Sequence, residues 1–566
     1  MDIQQVYWSE RYYLQDNIES ASQPLAFFTT QHESRNAFWQ MAKKRQAWKI
    51  VTNDFTIYFT ADITERSLIF TNLLIETAAW EWSKLVSLLD SCTRYFFKRF
   101  CTISIKREFS FEEQRIFLKH GYELISSTKI SKEMHYRTAL VLGGGGAHGA
   151  YQIGVWKALK EEDLFISIVT GTSVGALNGA LIVQDQLEVA IDLWNRLKTN
   201  QVFALSDEKA TDGLYQRFLY ETRQMTKQAM IEGGASIAPL ETLVEQYLDV
   251  KKIKETTTPS LYTVATKIPE FLETVTQIQA LEPQEIADWI LASASFFPAM
   301  AYRQIGSFKY VDGGYRNNLP VDVAVKQQAT EVFIVDIQGP GVTKKIKQPD
   351  TIVAWTCCSK WSLGSFLIFD SQRNQLNIQL GYLEAKKQLG VYQGNWYTFD
   401  STKMAEHYWQ QFLRFLVKEI HLDLSFFYNM KFWQELRNVY KDRVEFETCG
   451  LAMLESLAKR KVILPNKVYQ VEELMKVICE ASSSDATFVN HVGQLNAQEW
   501  HKYRKYQRNA TIDHTKEQIA LKLLKQKKQQ NIQIKLNTQA FDILLFLYLA
   551  YLKEEQPWHK NSHTKS

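Results

Sequence analysis

The chain has 566 residues, of which 45% are hydrophobic, and it carries a formal net charge of +4 at neutral pH. This length predicts about two to four domains with conventional cores, and so small a net charge argues against a nucleic-acid-binding protein. The six cysteines are sparse and irregularly spaced, which is typical of a reducing compartment, and residues 1–5 show no signal peptide. The longest apolar run, residues 543–552, is shorter than the about 20 residues that cross a bilayer. We therefore expect a soluble cytoplasmic protein.

Residues 1–137 are rich in aromatic side chains and contain a single glycine, Gly121. We interpret them as a mixed α/β accessory domain. Within it, residues 113–125 resemble the closing helix and strand of the N-acetyltransferase fold. The cofactor loop of that fold needs glycines that let the backbone approach a pyrophosphate, and this region supplies none for such a loop. We therefore expect a domain without acetyl-transfer activity.

A glycine-rich loop lies at residues 143–149, after the strand-like run 139–142 and before the helix-like run 150–162. Bare backbone N–H groups in such a loop point at an anion near the start of the helix. Gly144, Gly146 and Gly149 fit the spacing of a dinucleotide-binding loop, and the same geometry also suits an oxyanion hole.

The next strand favours the oxyanion hole. A dinucleotide site needs an acidic residue at the end of that strand, residues 165–169, whereas Asp163 precedes it. The strand instead runs directly into Thr170-Gly-Thr-Ser173.

Ser173 lies in Gly171-Thr-Ser-Val-Gly175, the sequence form of a nucleophile elbow. The flanking glycines, Gly171 and Gly175, permit a strained turn from strand to helix that exposes the hydroxyl. No histidine occurs between His148 and His407, so the usual downstream histidine base is missing from this region. An acidic residue does occur downstream, Asp312, within Val311-Asp-Gly-Gly314.

The remaining elements of the central region predict an α/β fold with a parallel sheet. A helix-like run spans residues 174–183, and strand-like runs span 261–266 and 331–337. The glycine loop and the serine then lie at the carboxyl ends of strands, where open α/β sheets place their sites. Residues 194–239 form a polar insertion that either caps the cleft or merely connects two elements.

Four sequence blocks follow one another in the central region: Gly143-Gly-Gly-Gly-Ala-His-Gly149, Gly171-Thr-Ser-Val-Gly-Ala-Leu-Asn178, Ala292-Ser-Ala-Ser-Phe-Phe-Pro298 and Asp312-Gly-Gly-Tyr-Arg-Asn-Asn-Leu-Pro320. In this order they resemble the patatin-like phospholipase family of serine lipid acyl hydrolases. The resemblance covers residues 138–340 and implies a three-layer α/β hydrolase core.

The resemblance also implies roles for individual residues. Ser173 is then the nucleophile and Asp312 its partner in a catalytic dyad. The family's oxyanion-hole amides fall on the loop glycines Gly144, Gly145, Gly146 and Gly149. The motifs are completed by four further glycines: Gly171, Gly175, Gly313 and Gly314. One position departs from the family, because His148 stands where the family has Arg or Lys.

The expected activity is hydrolysis of acyl esters of phospholipids or related lipids through a Ser173 acyl-enzyme, with Asp312 as base. A thioesterase or acyltransferase on the same dyad is an alternative, as is an inert membrane-binding or scaffold protein. We expect neither a cofactor nor a metal, because the scattered His and Cys show no ligand spacing. We assign Asn317 and Asn318 to an Asx-type turn.

Residues 341–566 read as mainly helical, with amphipathic stretches at 406–417, 432–440 and 471–480. Residues 501–536 carry ten Lys or Arg and precede the apolar run. Such a segment either docks on an anionic membrane, which suits peripheral association of a lipase, or is a solvated helix face that packs on its own domain.

Overall fold

The structure is a computed structural model in which the chain forms three regions, each with its own hydrophobic core. Among the described helices, none is both long and apolar enough to cross a membrane. The structure describes residues 2–52, 54–76, 80–203, 236–297, 299–345, 351–419, 449–480 and 540–556.

The N-terminal region is a seven-stranded sheet with four helices, which confirms the mixed α/β prediction. Its strand order is β1-β2-β3-β4-β5-β7-β6, and all neighbouring strands pair antiparallel except β4 and β5, which are parallel. The strands are β1 (Asp2–Gln5), β2 (Ala47–Val51), β3 (Thr56–Ile63), β4 (Ser67–Glu76), β5 (Phe100–Ser104), β6 (Glu123–Ser126) and β7 (Lys129–Glu133). The helices are α1 (Arg11–Ser20), α2 (Gln31–Lys43), α3 (Trp82–Tyr95) and α4 (Phe111–Lys119).

The central region is built on an eight-stranded sheet of order β12-β13-β10-β9-β8-β14-β15, with β11 paired to β10. Strands β10, β9, β8, β14 and β15 run parallel, whereas β11 and β13 pair antiparallel with β10, and β12 with β13. The strands are β8 (Thr138–Leu142), β9 (Ile166–Thr172), β10 (Ser260–Ile268), β11 (Leu272–Gln277), β12 (Arg303–Ile305), β13 (Phe308–Asp312), β14 (Glu331–Val335) and β15 (Val353–Cys357).

Helices cover both faces of this sheet and make it the middle of three layers. Successive side chains of a strand point to opposite faces, so Leu140 and Leu142 of β8 lie in one core and Ala139 and Val141 in the other. The helices are α5 (Gly149–Glu161), α6 (Val174–Val183), α7 (Leu187–Arg196), α8 (Ala238–Tyr247), α9 (Val250–Glu255), α10 (Ile286–Ala294), α11 (Val321–Lys326) and α12 (Ser371–Gln388).

The core does not end at residue 340, where the sequence patterns predicted a boundary. Strand β15 pairs in parallel with β14, and α12 packs along α5. The patterns alone could not show this, because an edge strand and a second-layer helix are recognised only by what they contact.

Helices α5 and α12 approach closely enough for their backbones to touch. A Cβ atom on Gly154 of α5 would overlap the carbonyl oxygen of Ile378, and one on Gly381 of α12 would overlap that of Tyr151. Helices that meet through larger side chains stand about 8–10 Å apart, so this contact requires glycine on both sides.

We expect Gly381→Leu to destabilise the central region by more than about 3 kcal/mol, because the new side chain has no space and must separate the two helices. The matched control is Gln379→Ala, at an exposed position of the same helix, which should change stability by less than about 0.5 kcal/mol. Calorimetric unfolding measures both variants. Equal melting temperatures for Gly381→Leu and the unmodified protein would contradict the close packing.

The N-terminal domain covers the edge strand β15 of the central sheet. The ring of Trp355 stacks on Phe97 at 4.4 Å and on Tyr95 at 6.0 Å between centroids. Ser91 Oγ of α3 donates a hydrogen bond to the carbonyl of Thr351 over 2.8 Å. An uncovered edge strand invites pairing with another chain, so this contact protects the sheet.

The described C-terminal helices pack around a separate core. The predicted stretches at 406–417 and 471–480 are helices α13 (Lys403–Lys418) and α15 (Val471–Glu480), and the apolar run lies in α16 (Ala540–Glu555). The run is buried from Leu544 to Leu552 against α13, α15 and α14 (Cys449–Arg460). Two short strands, β16 (Thr398–Phe399) and β17 (Val468–Tyr469), complete this region. The predicted helix at 432–440 and the basic segment 501–536 lie outside the described residues.

Candidate active site

Ser173 lies at the turn between β9 and α6 in a backbone conformation that residues other than glycine rarely adopt. Its φ is +57° and its ψ is −126°. A Cβ on Gly171 would overlap the backbone of Gly175, and a Cβ on Gly175 would overlap the carbonyl of Leu142. The two flanking glycines therefore let strand and helix approach closely enough to hold the strained serine in place.

Asp312 is the last residue of β13, and its side chain is buried with 3% exposure. Its Oδ1 accepts a hydrogen bond of 2.7 Å from the N–H of Gly314, and its Oδ2 has no partner of standard geometry among the described residues. Burial raises the pKa of Asp312 to about 6, although the Ser173 hydroxyl and the Gly314 amide act to lower it. The buried carboxylate thus lies beside the Ser173 hydroxyl and is placed to accept its proton.

Residues 293–295 hold both members of this pair. The hydroxyl of Ser293 accepts from the Ser173 N–H over 3.1 Å and donates to the carbonyl of Val264 over 2.6 Å. The carbonyl of Ser295 accepts from the Asp312 N–H over 2.9 Å. Sequence reasoning recognised this block but gave Ser293 no role, since nothing in the local pattern shows which backbone amide its hydroxyl meets.

Some backbone amides of the glycine loop donate hydrogen bonds within the protein, and others do not. The Gly144 N–H donates to the Asn318 carbonyl over 3.0 Å, and the Gly149 N–H donates to the Gly146 carbonyl. Gly145 and Gly146 line the same cavity as Ser173, and their N–H groups have no acceptor among the described residues. Of the four glycines that the resemblance assigned, these two present free donors to the cavity.

Asn318 holds the glycine loop through long-range hydrogen bonds and does not merely form a local turn. Its side-chain amide donates to the carbonyls of Gly144 over 3.2 Å and Gly339 over 3.3 Å. The neighbouring Asn317 donates to the carboxylates of Glu273 and Asp322, each over 2.7 Å. The Asx-turn interpretation therefore missed long-range partners that only the tertiary structure brings together.

His148 is buried with both ring nitrogens engaged. Nδ1 lies 2.8 Å from the carbonyl oxygen of Ile337, and Nε2 lies 3.0 Å from that of Gly364. A ring held in this way anchors the glycine loop to two other segments and is not available as a general base. His407 is exposed on α13, with its Nε2 against the side chain of Gln411.

An apolar cavity of about 360 Å³ opens from the serine and runs along α6. The helix contributes residues at helical spacing, including Ser173, Leu177, Ala180 and Gln184. From the first to the last of these, the helix rises by about 16 Å. The described start of the 194–239 insertion also lines the cavity, through Trp194, Leu197, Val202 and Phe203; residues 204–235 lie outside the described part of the chain.

We expect Asp312→Asn to be more stable than the unmodified protein at pH 8. Folding raises the pKa of this carboxyl from 3.8 to about 6, so its ionisation opposes folding. Above about pH 6 the carboxyl is ionised in both states, and its ionisation then lowers the free energy of unfolding by about 3 kcal/mol. Well below the unfolded pKa of 3.8, at about pH 2.5, the carboxyl is protonated in both states and the two proteins should unfold alike.

The matched control is Asp322→Asn. Desolvation raises the pKa of Asp322, but Asn317 and Lys344 outweigh it, and the net pKa is lowered. Its ionised form therefore supports folding, and its loss should lower stability at pH 8. Calorimetric scans at both pH values give the comparison, and the same destabilisation in both variants would refute the unfavourable burial of Asp312.

Comparison with known proteins agrees with this geometry. A sequence model described as "Patatin-like phospholipase" matches residues 140–325. The chain is 26% identical over 259 residues to patatin-like phospholipase domain-containing protein 7 of Rattus norvegicus, covering 44% of this chain and 17% of the relative. It is 28% identical over 220 residues to patatin-like phospholipase domain-containing protein 6 of Homo sapiens, covering 38% of this chain and 14% of the relative. The chain thus spans less than a fifth of these curated relatives.

Among solved structures, VipD from Legionella pneumophila aligns with a TM-score of 0.31 and 11% identity, over 77% of this chain and 94% of that one. The family match contains the elbow serine, the glycine loop and the buried aspartate in one continuous segment. Residues 140–325 of this chain are therefore a patatin-like phospholipase domain.

Proposed function

We propose that this protein is a serine lipid acyl hydrolase that cleaves acyl esters of phospholipids or related lipids. The observation that carries the proposal is that Ser173, on a strained elbow, and buried Asp312 lie beside each other at one end of an apolar cavity. The names of the relatives, which are phospholipase-domain proteins, support the same class of reaction.

The reaction begins when Ser173 Oγ attacks the ester carbonyl while Asp312 Oδ2 takes its proton. Because burial raises the pKa of Asp312 to about 6, the carboxylate is a stronger base than an exposed aspartate and is still ionised near neutral pH. Collapse of the tetrahedral intermediate returns the proton to the leaving alcohol and leaves an acyl-enzyme. Water, activated by the same carboxylate, then releases the fatty acid and restores the serine.

The free amides of Gly145 and Gly146 donate hydrogen bonds to the oxyanion of the tetrahedral intermediate. Gly144 supports them indirectly, since its own peptide is held on both sides by Asn318. A donor that is fixed before the reaction needs no reorganisation when charge develops, and this makes such donors effective. A Cβ on Gly146 would overlap the carbonyl of Phe366, so the loop keeps its shape only with glycine there.

The cavity favours a lipid over a small ester. Its lining is dominated by aliphatic and aromatic side chains, and its volume is in the range of sites that enclose a ligand chain. At its far end the side chain of Gln184 is buried, donating to the carbonyl of Ala180 over 3.0 Å and accepting from the N–H of Asp249 over 2.6 Å. An acyl chain attached to Ser173 therefore has an apolar channel that ends at this amide.

We expect Ser173→Ala to abolish hydrolysis of acyl esters and labelling by a fluorophosphonate, because the covalent route is lost. Asp312→Asn should reduce kcat/KM by at least about a thousandfold, since an amide cannot take the proton. The measurement is hydrolysis of a soluble short-chain ester by purified protein.

The matched control for this pair is His407→Ala, which removes an exposed imidazole of the C-terminal region and should leave kcat/KM within about twofold. A folded Ser173→Ala protein with full activity would refute the nucleophile. Loss of activity in His407→Ala with an active Asp312→Asn would refute the dyad.

We expect Ala180→Phe to shorten the acyl chains that the enzyme accepts. Ala180 lines the cavity about 10 Å along α6 from the serine, so a ring there occupies the distal half. Hydrolysis of long-chain esters should drop by about tenfold or more, while short-chain esters keep their rate. Val189→Phe, which adds a ring at an exposed site of α7, is the control, and an unchanged chain-length profile in Ala180→Phe would contradict the channel.

A further inference from the structure

Two adjacent hairpins extend beyond the edge of the sheet that carries the active site. Strand β10 pairs with β9 as far as Val264 opposite Thr172, the residue before the nucleophile, and continues to Ile268. The added four residues reach about 13 Å farther in the same direction. Strand β13 starts at Phe308, four residues before Asp312, and pairs with this extension of β10.

Large apolar side chains are exposed at the ends of both hairpins. Phe271 is 52% exposed, Leu272 is 55% exposed and Phe308 is 47% exposed. Lys267 Nζ lies 3.4 Å from the centre of the Phe308 ring, and Leu272 is the strand partner of Lys267. The two ends therefore form one continuous surface, which we call the tip patch: Lys267, Phe271, Leu272, Phe308 and Lys309.

The charge around these side chains is weakly positive. Lys309 is exposed, with its ammonium 4.3 Å from the centre of the Tyr302 ring. Among the described residues, the ion pair of Lys267 is with the exposed Glu270 at 4.0 Å. The carboxylates of Glu273 and Asp322 are both paired with Lys344. Aromatic rings flanked by lysine are typical of segments that settle at the boundary between lipid headgroups and acyl chains.

The tip patch is also connected to the cavity. Met300 lines the cavity and lies three residues before β12, whose hairpin partner β13 runs from the tip to Asp312. A membrane bound at the hairpin tips would thus lie at a fixed, short distance from the serine end of the cavity.

We propose that the tip patch inserts into the interfacial zone of a phospholipid bilayer and so presents the active site to its substrate. The presentation of substrate rests on the proposed function, whereas membrane binding itself requires no catalysis. The rings supply most of the binding free energy through burial of apolar surface, and the lysines add attraction to anionic lipid.

The test uses the full-length protein carrying Ser173→Ala, so that vesicles stay intact. Binding is measured by co-sedimentation with vesicles of phosphatidylcholine and phosphatidylserine. Phe271→Ser combined with Phe308→Ser should weaken binding by about tenfold or more, because both rings lose their apolar contact. The matched control is Phe111→Ser combined with Leu118→Ser, which removes two side chains of 84% and 55% exposure from the N-terminal domain and should leave binding within about twofold.

A second measurement separates this inference from the proposed function. In protein with Ser173 intact, the Phe271 and Phe308 changes should lower hydrolysis of vesicle lipid by about tenfold and leave hydrolysis of a soluble short-chain ester unchanged. Unaltered vesicle binding in that variant, equal losses on both substrates, or a change in oligomeric state with vesicle binding unaffected would each overturn the proposal. Failure of the unmodified protein to hydrolyse any ester would refute the hydrolase function, while the binding comparison would still decide the role of the tip patch.

Discussion

The candidate active site depends on close contacts between backbone segments, which are possible only because glycines there have no side chain. The carbonyl of Leu142 fills the space that a Cβ on Gly175 would need, and the carbonyl of Val264 does the same at Gly313. These contacts bring β8, β9 and β10 and the segments after them within a few ångströms of one another. This close packing of the chain fixes the positions of the strained serine and the buried aspartate relative to each other.

This arrangement carries a cost in stability. A carboxylate with one oxygen unpaired in a buried site and a serine at positive φ both oppose folding. The surrounding hydrogen bonds from residues 293–295, from Asn318 and from Gly314 offset part of this cost while they orient the reacting groups. A site whose orientation depends on such neighbours should be sensitive to changes at residues that never touch substrate.

The two ends of the site differ in their chemistry. The inner end of the site is an apolar channel along α6, which suits an acyl chain, whereas the outer edge of the sheet carries exposed rings and lysines. The strands themselves impose this division, because their carboxyl ends meet at one edge and two of the hairpins project past it. In the C-terminal region, the apolar side chains from Leu544 to Leu552 are buried against other helices and are not exposed to a membrane.

The amino-acid sequence alone predicted which two residues the structure brings to one end of the cavity, Ser173 and Asp312. The order of glycine loop, Gly-x-Ser-x-Gly and Asp-Gly-Gly pointed to Ser173, Asp312 and the sheet that carries them, because these motifs are local and each demands a specific backbone. Which amides remain free depends on the tertiary structure, since the engagement of Gly144 requires Asn318, 174 residues away. The tertiary structure also places β15 and α12 in the core, sets Ser293 against the elbow, and brings Phe271 and Phe308 onto one surface. All of these are contacts between distant segments, and no local pattern records which distant backbone a side chain will meet.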